Sequence, residues 1–272
     1  MKKILLYLMF SIALSYCGNK EIQTDGIFID NSQKRYANES FEDAEARYKN
    51  NLNDIALESY TNTLSVKSLA RPIADLDFSN MEDFGSIEEL QTAFEQVRDY
   101  RFLTTEKEPG FLRRISWLYP DDGCFVRSDL AIHKLAGWGY SNFKKLYIFG
   151  ELSAQTTNAP SGVVYWWFHI VPVASIDGEI FALDQAIDSS GPLTLDEWLN
   201  LISSNQANLK GSLCSASSYI PYSHCNSLVA SNVERAIDEQ KIFLDLEKDR
   251  LLSLDRNPAQ ELGDQPPWTN EP

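Results

Sequence analysis

The sequence predicts an α+β fold: a helix packed on an antiparallel sheet, flanked by N- and C-terminal helices. Three observations predict it. Apolar residues recur at helical intervals near both ends of the chain, a helix-opening signal stands at Cys124, and three β-rich runs follow that helix. The chain has 272 residues, 43% of them hydrophobic, which suits one main domain with appendages.

In chain order, Met1-Lys2-Lys3 and the apolar run Ile4 to Leu14 read as an export signal, because the run is too short to anchor in a bilayer. Cys17 follows Leu14-Ser15-Tyr16 and resembles a lipobox cysteine, although a small residue is usual where Tyr16 stands. Residues 19–33 are polar and read as a tether. Over 40–64, Phe41, Ala44, Tyr48, Leu52 and Ile55 predict a helix. After a loop over 69–84, Ser86 and Glu89 form a capping-box pair, opening a helix whose buried face is Leu90, Ala93, Phe94 and Val97. Asp121 and Asp122 then predict an aspartate cap for a helix from Cys124 to Trp138.

The runs 145–152, 163–174 and 179–184 predict strands, the last two joined through Asp177-Gly178, a favoured hairpin pair. Val233, Ile237, Leu244 and Leu251 predict a helix over 229–254, and the Pro-rich end, 258–272, reads as a tail. The expected organisation is an export signal over 1–17, a tether and helical extension over 18–68, a catalytic domain over 69–226, and a C-terminal helix and tail over 227–272.

A formal net charge of -15 disfavours nucleic acid and anionic lipid as partners. The only membrane attachment suggested is a lipid on Cys17, and a monomer is expected. No metal-ligand spacing and no nucleotide-binding glycine pattern is present, so no cofactor is implied.

Past the signal, the cysteines are Cys124, Cys214 and Cys225. In an oxidising compartment one of them stays unpaired. Cys214 and Cys225 are close enough in sequence to close a small loop, which leaves Cys124 as the free thiol. At the first turn of its helix Cys124 meets unpaired amides and the positive end of the dipole, so its thiol is expected to be lowered.

The chain holds three histidines. His133 is more than two turns from Cys124 on the same helix, and His224 reads as a loop residue. His169 interrupts the apolar run from Val163 to Val171, where a polar side chain needs a partner. A two-residue turn at Asp177-Gly178 sets Asp184 opposite Val171, on the face of His169 and diagonal to it. Asp188 has the same parity and is the reserve candidate. Alternation sets Tyr165 and Trp167 on the histidine's face and Trp166 on the other.

Cys124, His169 and Asp184, in that order, follow the arrangement of papain-like and transglutaminase-like enzymes. The segment from Tyr119 to Ser128, the run Trp166-Trp167-Phe168-His169, Asp184, and Ser189-Ser190-Gly191-Pro192 together resemble the bacterial protein-glutaminase family, over about Trp117 to Tyr219. The resemblance implies a papain/transglutaminase-like core with the nucleophile at a helix N-terminus. It implies Cys124 as nucleophile, His169 as base and acid, and Asp184 as the group orienting His169. The implied reaction is hydrolysis of the side-chain amide of protein-bound glutamine. The chain departs from the family at Gln185, where proline is usual, and in lacking an obvious long pro-segment. The alternatives are a cysteine peptidase or transglutaminase with the same triad, and a non-catalytic surface lipoprotein.

Overall fold

In a computed structural model the described residues are 33–36, 38–50, 63–228 and 230–269. The expected export signal, Cys17, all of the tether but Gln33, and the second half of the expected helix over 40–64 lie outside them.

Six strands form one antiparallel sheet: β1 (Arg71–Pro72), β2 (Lys144–Gln155), β3 (Val163–Ile176), β4 (Glu179–Ala182), β5 (Leu193–Thr194) and β6 (Lys210–Cys214), in the order β1-β6-β2-β3-β4-β5. Among the described residues the α-helices are α1 (Phe41–Asn50), α2 (Ile87–Asp99), α3 (Cys124–Gly137), α4 (Leu195–Ile202), α5 (Val233–Ser253) and α6 (Pro258–Glu261). The chain thus has the α+β architecture expected, with the Cys124 helix packed on an antiparallel sheet.

Apolar residues of α2 and α3 pack with Phe168, Ile170 and Ala174 of β3 in one core. On the other side, Trp198, Leu199 and Ile202 of α4 pack with Val171, Val173, Leu146 and Ile148. Both sheet faces are covered, which is why β2 and β3 read as near-continuous apolar runs.

The hairpin forms as expected. Asp177 and Gly178 both have positive φ, 51° and 84°, the turn type that matches the twist of paired strands. Its register runs from Ile176↔Glu179 to Val173↔Ala182, and Leu183 N donates to Pro172 O, continuing the pairing toward Val171 and Asp184.

Three local expectations are corrected. Ser86 accepts from Glu89 N, but the reciprocal capping box is at Thr194 and Glu197, at the start of α4. The cap before Cys124 is Gly123, in the left-handed conformation with no side-chain cap bond, because Asp122 Oδ1 instead accepts from the Gly123 and Gln33 amides. The Pro-rich end packs on the body, where Leu262 and Trp268 meet Leu118 and Leu251.

Candidate active site

Cys124 stands at the start of α3, with the loop before it braced from behind by α5. Gln240 Nε2 donates to Ser116 Oγ at 2.7 Å, and Glu247 accepts from Leu118 N at 2.8 Å and from Arg113 at 2.6 Å. Arg250 grips Asp121 with two bonds of 2.6 and 3.0 Å. Phe243 closes against Gly123, whose missing Cβ would stand 2.9 Å from the ring. Positive φ at Gly123 lets the chain turn sharply into the helix, so that Cys124 meets the sheet.

His169 sits on β3 between two stretches of pairing on the same edge. β4 pairs with Val173–Ile176, while Lys34 bridges to Trp166, Arg35 N donates to Tyr165 O, and Trp167 N donates to Gln33 O. Nε2 of His169 lies 2.7 Å from Asp184 Oδ2, which also accepts from Trp198 Nε1 at 2.9 Å. The imidazole stacks on Trp166 at a ring separation of 4.6 Å and faces Trp198 at 5.9 Å. Hydrogen bonding and stacking together leave it one orientation.

The other ring nitrogen meets the side chain of Gln33. Gln33 Oε1 accepts from Cys124 N at 2.7 Å, so its amide nitrogen is the atom 3.2 Å from His169 Nδ1. An amide NH₂ only donates, so Nδ1 is the bare nitrogen and Nε2 carries the proton donated to Asp184. This tautomer leaves Nδ1 a base beside the Gln33 carboxamide that also bonds Cys124 N. Trp117, Cys124, Arg127, Ser128, His169 and Asp184 are among the residues lining the cavity. The space left open there is about 10 Å³, near the least that holds one water.

Burial pushes the Cys124 thiol well above its ordinary value; Arg127 and the Ile170 amide oppose this, while Asp122 and Asp184 add to it. The expected lowering by the helix start is therefore not met, because desolvation in the closed site outweighs it. Cys124 is thereby held as a neutral thiol, which would need a proton acceptor in order to react. Burial also raises the Asp184 carboxyl, but His169, Trp198 and Arg127 together hold it below the ordinary value. Asp184 is thereby kept as an anion beside the imidazole.

The structure thus brings Cys124, His169 and Asp184 to one cavity and leaves the other candidates out. Asp188 accepts from the backbone and hydroxyl of Ser190 in an exposed turn. His133 is exposed, and His224 accepts from Asn226 N. Cys214 and Cys225 form a disulfide, and Cys124 is free and buried.

The assignment of aromatic faces is reversed. Between Phe149 and Leu152 the register of β2 against β3 shifts, a bulge that breaks alternation. Trp166 therefore lies on His169, while Trp167 packs in the other core with Tyr48 and Phe149. Sequence reasoning missed Gln33, assigned to the tether, and Trp198 and Arg127. The signal for Trp198 was an indole on a capped helix after Asp184. Gln33 gave none, because an isolated polar residue has no periodicity to read.

Residues 90–202 match the family described as glutaminase. No curated protein matches the chain. Among solved structures, a crystal structure of protein-glutaminase is 21% identical, with 61% of this chain and 89% of that chain covered and a TM-score of 0.45. A crystal structure of pro-protein-glutaminase is 21% identical over 71% of this chain and 66% of that one, with a TM-score of 0.48. The NMR structure of protein-glutaminase from Chryseobacterium proteolyticum is 21% identical over 61% and 91%, with a TM-score of 0.47. The segment that matches the glutaminase family, 90–202, carries Cys124, His169 and Asp184.

Proposed function

We propose that this protein is an exported protein-glutamine deamidase in which Cys124 is the nucleophile, His169 the proton carrier and Asp184 the residue that orients the imidazole. The observation that carries the reading is the site's fit to a glutamine carboxamide, whose oxygen meets the Cys124 amide and whose nitrogen meets His169 Nδ1. The glutaminase match over 90–202 supports the same chemistry.

In the proposed reaction His169 Nδ1 takes the Cys124 proton and Sγ attacks the amide carbon. The oxyanion forms on the Cys124 amide, where Gln33 Oε1 lies 2.7 Å away. The C–N bond breaks, and ammonia leaves with the proton now on Nδ1, which faces the departing nitrogen. Nδ1 then deprotonates water, which hydrolyses the thioester to glutamate and restores the thiol. Asp184 stabilises the imidazolium through Nε2–H throughout.

The proposed catalytic unit spans 69–226, with α5 bracing its nucleophile loop. Export rests on the positive start and short apolar run of residues 1–14 and agrees with the Cys214–Cys225 disulfide, and a lipid on Cys17 is the proposed anchor. Among the described residues no helix is long and apolar enough to cross a membrane. The proposed substrate is a protein or peptide bearing glutamine.

The test is ammonia release and glutamine-to-glutamate mass shifts in an unfolded, glutamine-rich protein, using the unaltered chain, Gln33→Ala and Cys124→Ala. Deamidation by the first or second that is absent from the third is the expected result. Cleavage or lysine crosslinking of the target would support a peptidase or transglutaminase instead, and no reaction by either of the first two would overturn the reading.

A further inference from the structure

The chain's own N-terminal segment lies in the site as a substrate would. Gln33 is fully buried. Its main chain is held at both ends: the amide donates to Asp122 Oδ1 at 3.1 Å, and the carbonyl accepts from Trp167 N at 3.1 Å. With Arg35 N on Tyr165 O at 2.8 Å and the Lys34↔Trp166 bridge, the segment adds a short antiparallel strand to the free edge of β3. Straps from α1 and the residues before it secure it, with Arg47 donating to Lys34 O and Arg35 to Glu39 O. The β3 edge supplies main-chain pairing, and the Gln33 side chain bridges Cys124 N and His169 Nδ1.

We propose that Gln33 is this enzyme's own substrate, deamidated in cis by Cys124 to give a glutamate at position 33. The inference rests on the deamidase reading and adds its first target. The thiol of Cys124 bonds to the Gln33 side-chain carbon, the carbon–nitrogen bond breaks, and ammonia leaves carrying the proton from His169. One water then hydrolyses the thioester, leaving a carboxylate and the restored thiol; water is consumed and ammonia released, with no change of oxidation state. Tethering makes this a single first-order event, since the reacting groups are held together by the strand pairing. The product carboxylate then shares a buried site with Asp122 and Asp184. It also sets an oxygen acceptor against the bare Nδ1 where the amide had donated, so the segment loses both a hydrogen bond and its neutral character. Conversion thereby loosens the segment and opens the cavity to other glutamines.

The test is peptide mapping by mass spectrometry of position 33 in the purified full chain and in Cys124→Ala, which removes a single sulfur. The expected result is glutamate at 33 in the unaltered protein, reached at a rate that does not change on dilution, and glutamine retained in the variant. Glutamine retained at 33 in both overturns the inference, as does glutamate in both or a rate that scales with protein concentration. The Gln33→Ala variant separates this failure from that of the deamidase reading. If it deamidates an unfolded protein while the unaltered chain keeps Gln33, only the self-modification is lost; if both it and the unaltered chain are inert, the deamidase reading fails as well.

Discussion

Replacing Gly123 with alanine is expected to destabilise the protein by about 2–3 kcal/mol, through a backbone cost and a packing cost. Gly123 has φ 81° and ψ 15°, and an L side chain in that region costs about 1–2 kcal/mol. The added Cβ would lie 2.9, 3.0 and 3.1 Å from three atoms of the Phe243 ring. That ring cannot swing away freely, because it is buried and held edge-on by Phe125 at 6.1 Å. Overpacking of this kind costs about 1–3 kcal/mol. Alanine's smaller unfolded-state entropy returns about 0.4–1 kcal/mol. Denaturant unfolding of Gly123→Ala, Phe243→Leu and the double variant separates the two costs. The double-mutant cycle should show the pair recovering about 1–2 kcal/mol, since the shortened side chain relieves the clash but not the backbone conformation. Activity should fall further than the folded fraction, because Gly123 sets the entry of the helix that begins at Cys124. A Gly123→Ala variant within about 0.5 kcal/mol of the unaltered protein, the range of ordinary surface substitutions, would refute the reasoning.

Three further outcomes are expected. Removing the Cys214–Cys225 disulfide, which closes a sequence separation of 11, should cost about 3 kcal/mol by loop entropy, measured as a lower denaturation midpoint of the double serine variant. Lys145→Met should cost about 3–5 kcal/mol, because Lys145 Nζ meets Asp129 at 2.6 Å with both side chains buried and the variant strands the carboxylate. Adding Asp129→Leu should recover much of that loss, again read by unfolding. Asp184 is held below its unfolded value of 3.8, so its stabilisation is present above that pH and is lost as pH falls through the lower folded value. In Asp184→Asn the acid limb of the stability–pH curve should therefore be shallower, and an unchanged limb would contradict the assignment.

Much of the site was legible in the sequence because its determinants are short-range. A left-handed two-residue turn at Asp177-Gly178 fixes the hairpin register, so parity alone brought Asp184 to the face of His169. The run that follows Gly123 set Cys124 at a helix start, although the cap is Gly123 and not an aspartate. Cysteine parity, read on the expectation of an oxidising compartment, separated the free thiol from the Cys214–Cys225 pair.

The remainder was decided by contacts between residues far apart in the chain. At the register shift between Phe149 and Leu152, β3 puts Trp167 and Phe168 in the same core, so Trp166 falls on the face of His169, and no local composition marked it. Whether the Cys124 thiol is lowered or raised depended on competition between the helix start and desolvation, and burial is a property of the assembled fold. Gln33 reaches Cys124 across 91 residues and His169 across 136. The sequence by itself determined most of the elements, the hairpin and which three side chains, Cys124, His169 and Asp184, share the candidate site, because periodicity, turn chemistry and cysteine pairing act locally. Only the tertiary structure decided what fills the site between them, because a polar segment carries no pattern that says which distant edge it will pair with.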